Sequence, residues 1–194
     1  MITILNDVNA RIQTITLHNI WETILAGFLF TMFNVWYAIS FTLTTVGTGI
    51  LYGTVFILDK AGRKRIIPDR VNEEPYLERY YLLLKDRETF PFNIFIHKFL
   101  KSDPDDLHDH PWGFRTIILK GGYWEHTEEG KFWRAPLFTQ SVSATYKHRI
   151  ELKPDVDCWT LFIPYRRQRD WGFFKDGKWI QHEKYFADKM KKVE

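Results

Sequence analysis

His108-Asp109-His110-Pro111-Trp112 is the stretch whose reading decides the fold. On an extended segment, side chains at i and i+2 project from one face, so both imidazoles reach a single ion. Gly122 follows twelve residues after His110, and His148 lies forty after His108, on a distant strand from which a third imidazole completes a facial set. With 7 histidines in 194 residues, chance alone supplies on the order of 0.25 His-x-His pairs, so the pair by itself is a weak motif. The spacing around it carries the reading, a metal site on a β-barrel.

Outward from that stretch, the chain from Arg79 onward consists of short apolar or alternating runs separated by turn signals. Strands are expected over residues 80–84, 92–100, 115–119, 123–126, 141–152, 158–165, 171–174 and 179–181. Hairpin turns fall at Glu129-Gly130 and at Asp176-Gly177, a dipeptide that tolerates positive φ at both turn positions. So many strands in so short a stretch imply a barrel or jelly roll, closed by a helical tail over residues 183–192. Strand alternation turns Asp109 away from the ligand face, toward a loop or a neighbouring arginine.

The chain is 45% hydrophobic and 17% aromatic, ample material for one core. Its 27 basic and 24 acidic residues are intermixed, which argues against a nucleic-acid partner. The single cysteine, Cys158, excludes an internal disulfide, and its strand-like flanks make it a buried small hydrophobe.

Upstream, residues 23–58 contain no charged residue. As a helix this run exceeds a hydrocarbon core of about 30 Å. Thr44, Thr45, Gly47, Gly49 and Gly53 interrupt it, so a long tilted helix, a broken helix and a pair of short helices are all compatible; one span with a helical extension is preferred. A helix pair buried in a protein assembly is the competing reading, in keeping with Asn34, Ser40, Thr42 and Thr48. Residues 1–22, with Ile4, Val8, Ile12 and Ile15 at helical spacing, suit an amphipathic interfacial helix. Residues 59–78 read as a basic linker carrying Lys60, Arg63, Lys64 and Arg65, which by the positive-inside tendency puts residues 79–194 on the cytoplasmic side.

His108-Asp-His110-Pro-Trp, Ile117-Ile-Leu-Lys-Gly-Gly-Tyr, His148-Arg-Ile-Glu-Leu, Cys158-Trp-Thr-Leu-Phe and Arg169-Asp-Trp-Gly-Phe173, in that order, resemble an uncharacterised family of bacterial and bacteriophage cupins. The resemblance covers residues 79–185. It implies an all-β fold, the cupin-type double-stranded β-helix, here preceded by the apolar helical segment. It names no substrate. The cupin pattern also places a glutamate about five residues beyond the second histidine; Arg115 stands there, with Gly122 keeping the glycine position. His108, His110 and His148 then form a three-histidine set similar to those with which thiol dioxygenases hold ferrous iron. Fe(II) is the metal expected by this analogy, although imidazoles suit nickel, copper and zinc alike and manganese is a further alternative.

Glu125 is the candidate fourth ligand, with a cross-strand pair to Arg149 as its other reading. Arg115 is the candidate catalytic group, orienting a small anionic ligand in the lumen, against the reading of an outward arginine. Trp112, Tyr123, Trp159 and Trp171 are expected to line the pocket or simply to pack the core. His97 reads as a core histidine, His126 and His182 as surface or strand-end residues, and Arg166, Arg167 and Arg169 as a solvated run. The expected function is a membrane-anchored, metal-dependent oxidoreductase of the oxygenase type. The alternative is a structural or accessory subunit of a membrane complex or viral particle, docked through residues 23–58 onto lipid or apolar partner subunits.

Overall fold

A run of apolar residues without charge can leave water only as a helix whose backbone satisfies itself, and that is how the chain begins. In the computed structural model, α1 (Ile2–Lys60) is one unbroken helix. The structure describes residues 2–85, 90–104 and 106–191, with side chains from residue 20 onward. The amphipathic face expected over residues 1–22 therefore lies outside the described side chains. The glycines at 47, 49 and 53 do not break the helix. Its polar residues bond to their own backbone: Thr31 Oγ1 donates to Gly27 O at 2.8 Å, Asn34 Nδ2 to Phe30 O at 2.7 Å and Thr45 Oγ1 to Phe41 O at 2.8 Å. Satisfied in this way, they are compatible with apolar surroundings.

The chain divides into two units, Met1–Leu51 and Tyr52–Glu194. In the first, every residue from 20 to 50 is exposed except the half-buried Ser40 and Thr48. Ile20–Lys60 is long and apolar enough to cross a membrane, 41 residues against the about 20 that a bilayer core takes.

The second unit opens with the last turns of α1, where Val55 and Leu58 are buried and the Tyr52 ring meets Trp159 edge-on at 5.8 Å. A left-handed Gly62 (φ 67°) ends the helix: its N–H donates to Asp59 O and that of Arg63 to Leu58 O, satisfying carbonyls that would otherwise lack donors. Twelve strands follow among the described residues. They are β1 (Lys64–Pro68), β2 (Pro75–Tyr81), β3 (Phe95–Phe99), β4 (Leu107–His108), β5 (Trp112–Lys120), β6 (Tyr123–Thr127), β7 (Gly130–Arg134), β8 (Thr139–Val142), β9 (Arg149–Leu152), β10 (Cys158–Arg167), β11 (Gly172–Lys175) and β12 (Lys178–Gln181), with α2 (His182–Met190) last.

All strand pairs are antiparallel, in a six-stranded sheet of order β1-β2-β3-β10-β5-β8 and two three-stranded sheets, β12-β11-β4 and β7-β6-β9. The long-range pairs nest: β4 with β11, β5 with β10, β6 with β9. Such nesting results when a long hairpin coils on itself, the jelly-roll arrangement. One core cluster joins Ile118, Tyr123, Ile150 and Cys158; another joins Phe173 to Tyr185 and Phe186 of α2. Burial pushes the Cys158 thiol up to about 12, so it is an inert core residue.

Four expectations change. All-β describes only part of a chain with so long a helix. Residues 59–78 are no linker: they hold the helix end, β1 and most of β2, because their alternating runs find an edge of the large sheet on which to pair. The strand expected over residues 141–152 is two, β8 and β9, separated by a turn in which Tyr146 N donates to Ser143 O. The hairpin placed at Glu129-Gly130 turns one residue earlier, since Thr127 pairs with Gly130. The Asp176-Gly177 turn has both residues at positive φ, 50° and 72°, as that dipeptide favours.

Candidate metal centre

His108 ends β4 directly opposite His148, and the two exchange backbone hydrogen bonds of 2.9 and 3.0 Å. His110, kept extended by the proline that follows it, donates its N–H to Ala144 O at 3.1 Å. Three neighbouring segments thus present three imidazoles to one point. Ring centroids lie 4.9 Å apart for His108 and His110 and 5.0 Å for each other pair. One nitrogen from each ring falls within 4.8 Å of the others, and His110 Nε2 stands 2.8 Å from His148 Nε2. Two nitrogens at about 2.0–2.1 Å from one ion would have nearly that separation.

Electrostatics favour the ligating form. Burial pulls the His108 pKa down to about 4, against the opposing charge of Asp103. Burial, and then the other two imidazoles, hold His110 well below the usual histidine range. Neutral rings carry the lone pairs that a metal needs. His108 Nδ1 is buried, with no hydrogen-bond partner among the described residues and Asp103 Oδ2 3.9 Å away. The donor set and this unmatched nitrogen fit a divalent transition metal.

Glu125, on β6, is wholly buried. It is not a fourth arm of the cluster but the group that orients one: Oε1 accepts from His148 Nδ1 at 2.9 Å and from Gln140 at 2.8 Å, and Oε2 accepts from Arg134 Nε at 2.7 Å. With Nδ1–H held there, His148 offers Nε2 to the cluster. Burial alone would raise the Glu125 pKa, but the hydrogen bonds from His148, Gln140 and Arg134 and the charge at His148 hold it at about 2. The pairing with Arg149 is also excluded, since Glu125 stands opposite Ile150 and Arg149 opposite His126.

Asp109 turns away from the cluster, as alternation implied. Its carboxylate accepts from Gly172 N at 2.7 Å, from Trp179 Nε1 at 3.1 Å and from Arg169. Arg169 is therefore half of an ion pair with a buried partner rather than part of a solvated run. Gly172 is required beside it, because a Cβ there would lie 2.2 Å from Ile180 O.

Arg115 is the main correction. Its side chain is exposed, with Nε 3.4 Å from Thr139 Oγ1, while its neighbours Phe114 and Thr116 face inward. Phe114 fills the position beside the cluster, its ring 4.8 Å from His110 and 5.8 Å from His148. The inward-facing position is thus one residue earlier than the spacing placed it. Counted from Phe114, the turn glycine is Gly121 (φ 80°), where a Cβ would lie 2.0 Å from Asp157 O. Trp159 is the second correction. It lies on the other face of β10, against Tyr52, Tyr80 and Lys98, while Thr160 enters the lumen. Trp112 and Tyr123 line the lumen, and Trp171 its wider mouth.

His97 is a buried core histidine, stacked on Phe162 at 4.9 Å. His126 pairs with Glu151 at 2.7 Å, and His182 stacks on Trp171 at 4.6 Å. Sequence reasoning missed Arg79, whose side chain reaches the lumen, because it sat at the margin of an expected strand. Asp103 was missed too; it holds the Ile150 N–H at 2.6 Å and the Tyr76 hydroxyl from a loop with no motif.

No family model matches the chain, and no curated protein does. Among solved structures, the chain is similar to a sugar phosphate isomerase from a cupin superfamily of Silicibacter pomeroyi, at 12% identity over 58% of this chain and 74% of that one, with a TM-score of 0.45. It is similar to the iron(II) form of HppE at 12% identity, over 54% and 57% of the two chains, with a TM-score of 0.43. It is also similar to the polyketide cyclase RemF of Streptomyces resistomycificus at 15% identity, over 47% and 66%, with a TM-score of 0.41. The chain thus spans just under two thirds of the cyclase and 57% of HppE.

Proposed function

We propose that this chain is a membrane-anchored cupin that holds a divalent transition metal on His108, His110 and His148 and transforms a small molecule beside it. The observation that carries the reading is the convergence of three imidazoles from three segments, with the far nitrogen of His148 fixed by a buried carboxylate. Structural histidines need no such convergence. Lowered pKa values keep His108 and His110 neutral, and a metal so bound supplies Lewis-acid chemistry or, as ferrous iron, dioxygen chemistry. Fe(II) and an oxygenase reaction are the expectation that the family resemblance supports. In the lumen, Phe114 excludes water from one side of the cluster, and Asp103 holds β9 by its Ile150 N–H.

The anchoring role rests on residues 23–50, which carry no charge and expose large apolar side chains. The basic residues after the run support a cytoplasmic β-domain, although two of them also serve the fold. Arg63 donates to Tyr81 O and Leu83 O, and Lys64 pairs with Glu78.

Elemental analysis of the full chain, purified in detergent without chelator, tests the metal. About one transition-metal ion per chain is expected, lost in the variant with all three histidines changed to alanine. Failure to take up iron, zinc, nickel or manganese on reconstitution would leave the accessory-subunit reading in its place.

A further inference from the structure

A guanidinium inside a protein is costly unless a counter-charge accompanies it. Arg134 meets that requirement through Glu125, and Arg169 through Asp109. Arg79 does not: among the described residues no carboxylate lies within ion-pair distance of it. Its Nε donates to His97 Nε2 at 3.0 Å, and its guanidinium carbon lies 4.6 Å from the Phe95 ring centre. That bond and the Tyr81 side chain engage only part of its five N–H donors. Burial lowers the Arg79 pKa, and the adjacent Tyr81 partly offsets this.

Arg79 lines a cavity of 390 Å³ together with His108, His110 and Trp112. The Trp112 Nε1–H is buried without an acceptor among the described residues, an unmatched donor on a residue that lines the same cavity. Arg65 and Arg70, from β1 and the turn after it, also line the cavity, so three arginines face two aspartates there. Both aspartates are engaged: Asp69 Oδ1 accepts from Val71 N at 2.7 Å, and Asp103 accepts from Ile150 N and the Tyr76 hydroxyl. The space matches a small ligand at the lower end of the usual range of about 300–1,000 Å³.

We propose that this lumen binds a small organic anion, its carboxylate or phosphate group held by Arg79 and the Trp112 indole N–H beside the histidine cluster. Arg65 and Arg70 attract the anion toward the mouth. The inference deepens the metalloprotein reading and rests on it for the reaction served, but the binding itself can be measured with or without metal.

The test is calorimetry on the full chain in detergent, metal-free and metal-loaded, with succinate, inorganic phosphate and uncharged succinamide as probes. Succinate, phosphate or both should bind and succinamide should not; the one that binds identifies a carboxylic acid or a phosphate ester as the source of the oxyanion. Arg79→Gln should weaken binding about 10- to 100-fold, as loss of a charge-assisted pair does. Arg79→Lys should recover part of it, retaining charge without the planar fork. Trp112→Phe should weaken it severalfold, and exposed Arg115→Gln should leave it unchanged. Arg79→Lys and Trp112→Phe keep the bulk of the side chain, so they decide the matter if Arg79→Gln does not fold. Equal affinity in wild type, Arg79→Lys and Trp112→Phe, equal binding of succinamide, or no oxyanion binding overturns the proposal and leaves a measured metal content standing. Anion binding without metal uptake would overturn the metal reading alone.

Discussion

Along residues 20–50 the large apolar side chains face outward, Trp21 at 67%, Phe30 at 71% and Leu43 at 68% exposure. In the β-domain the opposite holds, since Asp109 and Glu125 are at 0% and His148 at 3%. Each region inverts the ordinary partition of a soluble protein, and each inversion has its own physical reason. Apolar surface stays exposed where the surroundings are themselves apolar. Polar groups stay buried where every donor finds an acceptor, or where a ligand supplies the missing one. The helix is long and apolar enough to cross a membrane, and the lumen brings three imidazoles together.

Glu125→Ala would break the buried side of that comparison most severely. It strands the Arg134 guanidinium and frees His148 Nδ1, so chemical denaturation should show a loss of about 3–5 kcal/mol. Metal affinity should fall about 10- to 100-fold, as when a ligand loses its outer partner. A loss under about 1 kcal/mol would mean that water, rather than a desolvated network, surrounds this carboxylate.

Phe41→Asp breaks the exposed side. A carboxylate near the middle of the charge-free run costs about 2.5–3.5 kcal/mol of insertion, so the fraction of chain resisting carbonate extraction should drop sharply. Undiminished retention would show that this position faces protein or water instead of lipid.

The Lys64–Glu78 pair, 2.7 Å apart at the surface of β1 and β2, sharpens the contrast from the solvated side. Burial would raise the Glu78 pKa, but hydrogen bonds from Lys64 and Tyr80 bring it below its ordinary 4.5. The Lys64 pKa is raised above 10.5, chiefly by the same bond. A lowered carboxylate pKa stabilises above its unfolded value and loses the benefit as pH falls through the folded one. A raised lysine pKa stabilises below its unfolded value and loses the benefit as pH rises through the folded one. The pair should thus contribute between about pH 4.5 and 10.5. Glu78→Gln should cost only about 0.2–1 kcal/mol there, and nothing in acid.

The smallest effect is expected for Arg115→Glu, within about 0.5 kcal/mol and with unchanged metal content, since the side chain lies outside the lumen. Any change in metal affinity would restore it to the site.

The histidines at 108 and 110 were legible because same-face geometry follows directly from strand alternation, and Asp109 follows from the same rule; His148 was legible only through the order of the motif blocks that carry the family resemblance. The apolar run was legible because a charge-free stretch of that length has few alternatives. Arg115 was misplaced by one residue, and in a strand one residue exchanges inside for outside. The β1–β2 wall was hidden because its charges and prolines resemble a linker; only pairing with the edge of a sheet built from distant residues makes those segments strands.

The sequence by itself determined a charge-free run and two imidazoles on one face of an extended segment, both consequences of local periodicity. Only the tertiary structure decided which groups surround them. Glu125 reaches His148 across 23 residues of chain, Asp109 reaches Arg169 across 60, and Arg79 enters the lumen from the margin of an expected strand. Their burial and charge arise from contacts between distant residues, and no local pattern encodes which distant donor a carboxylate will meet or which arginine will be left without one.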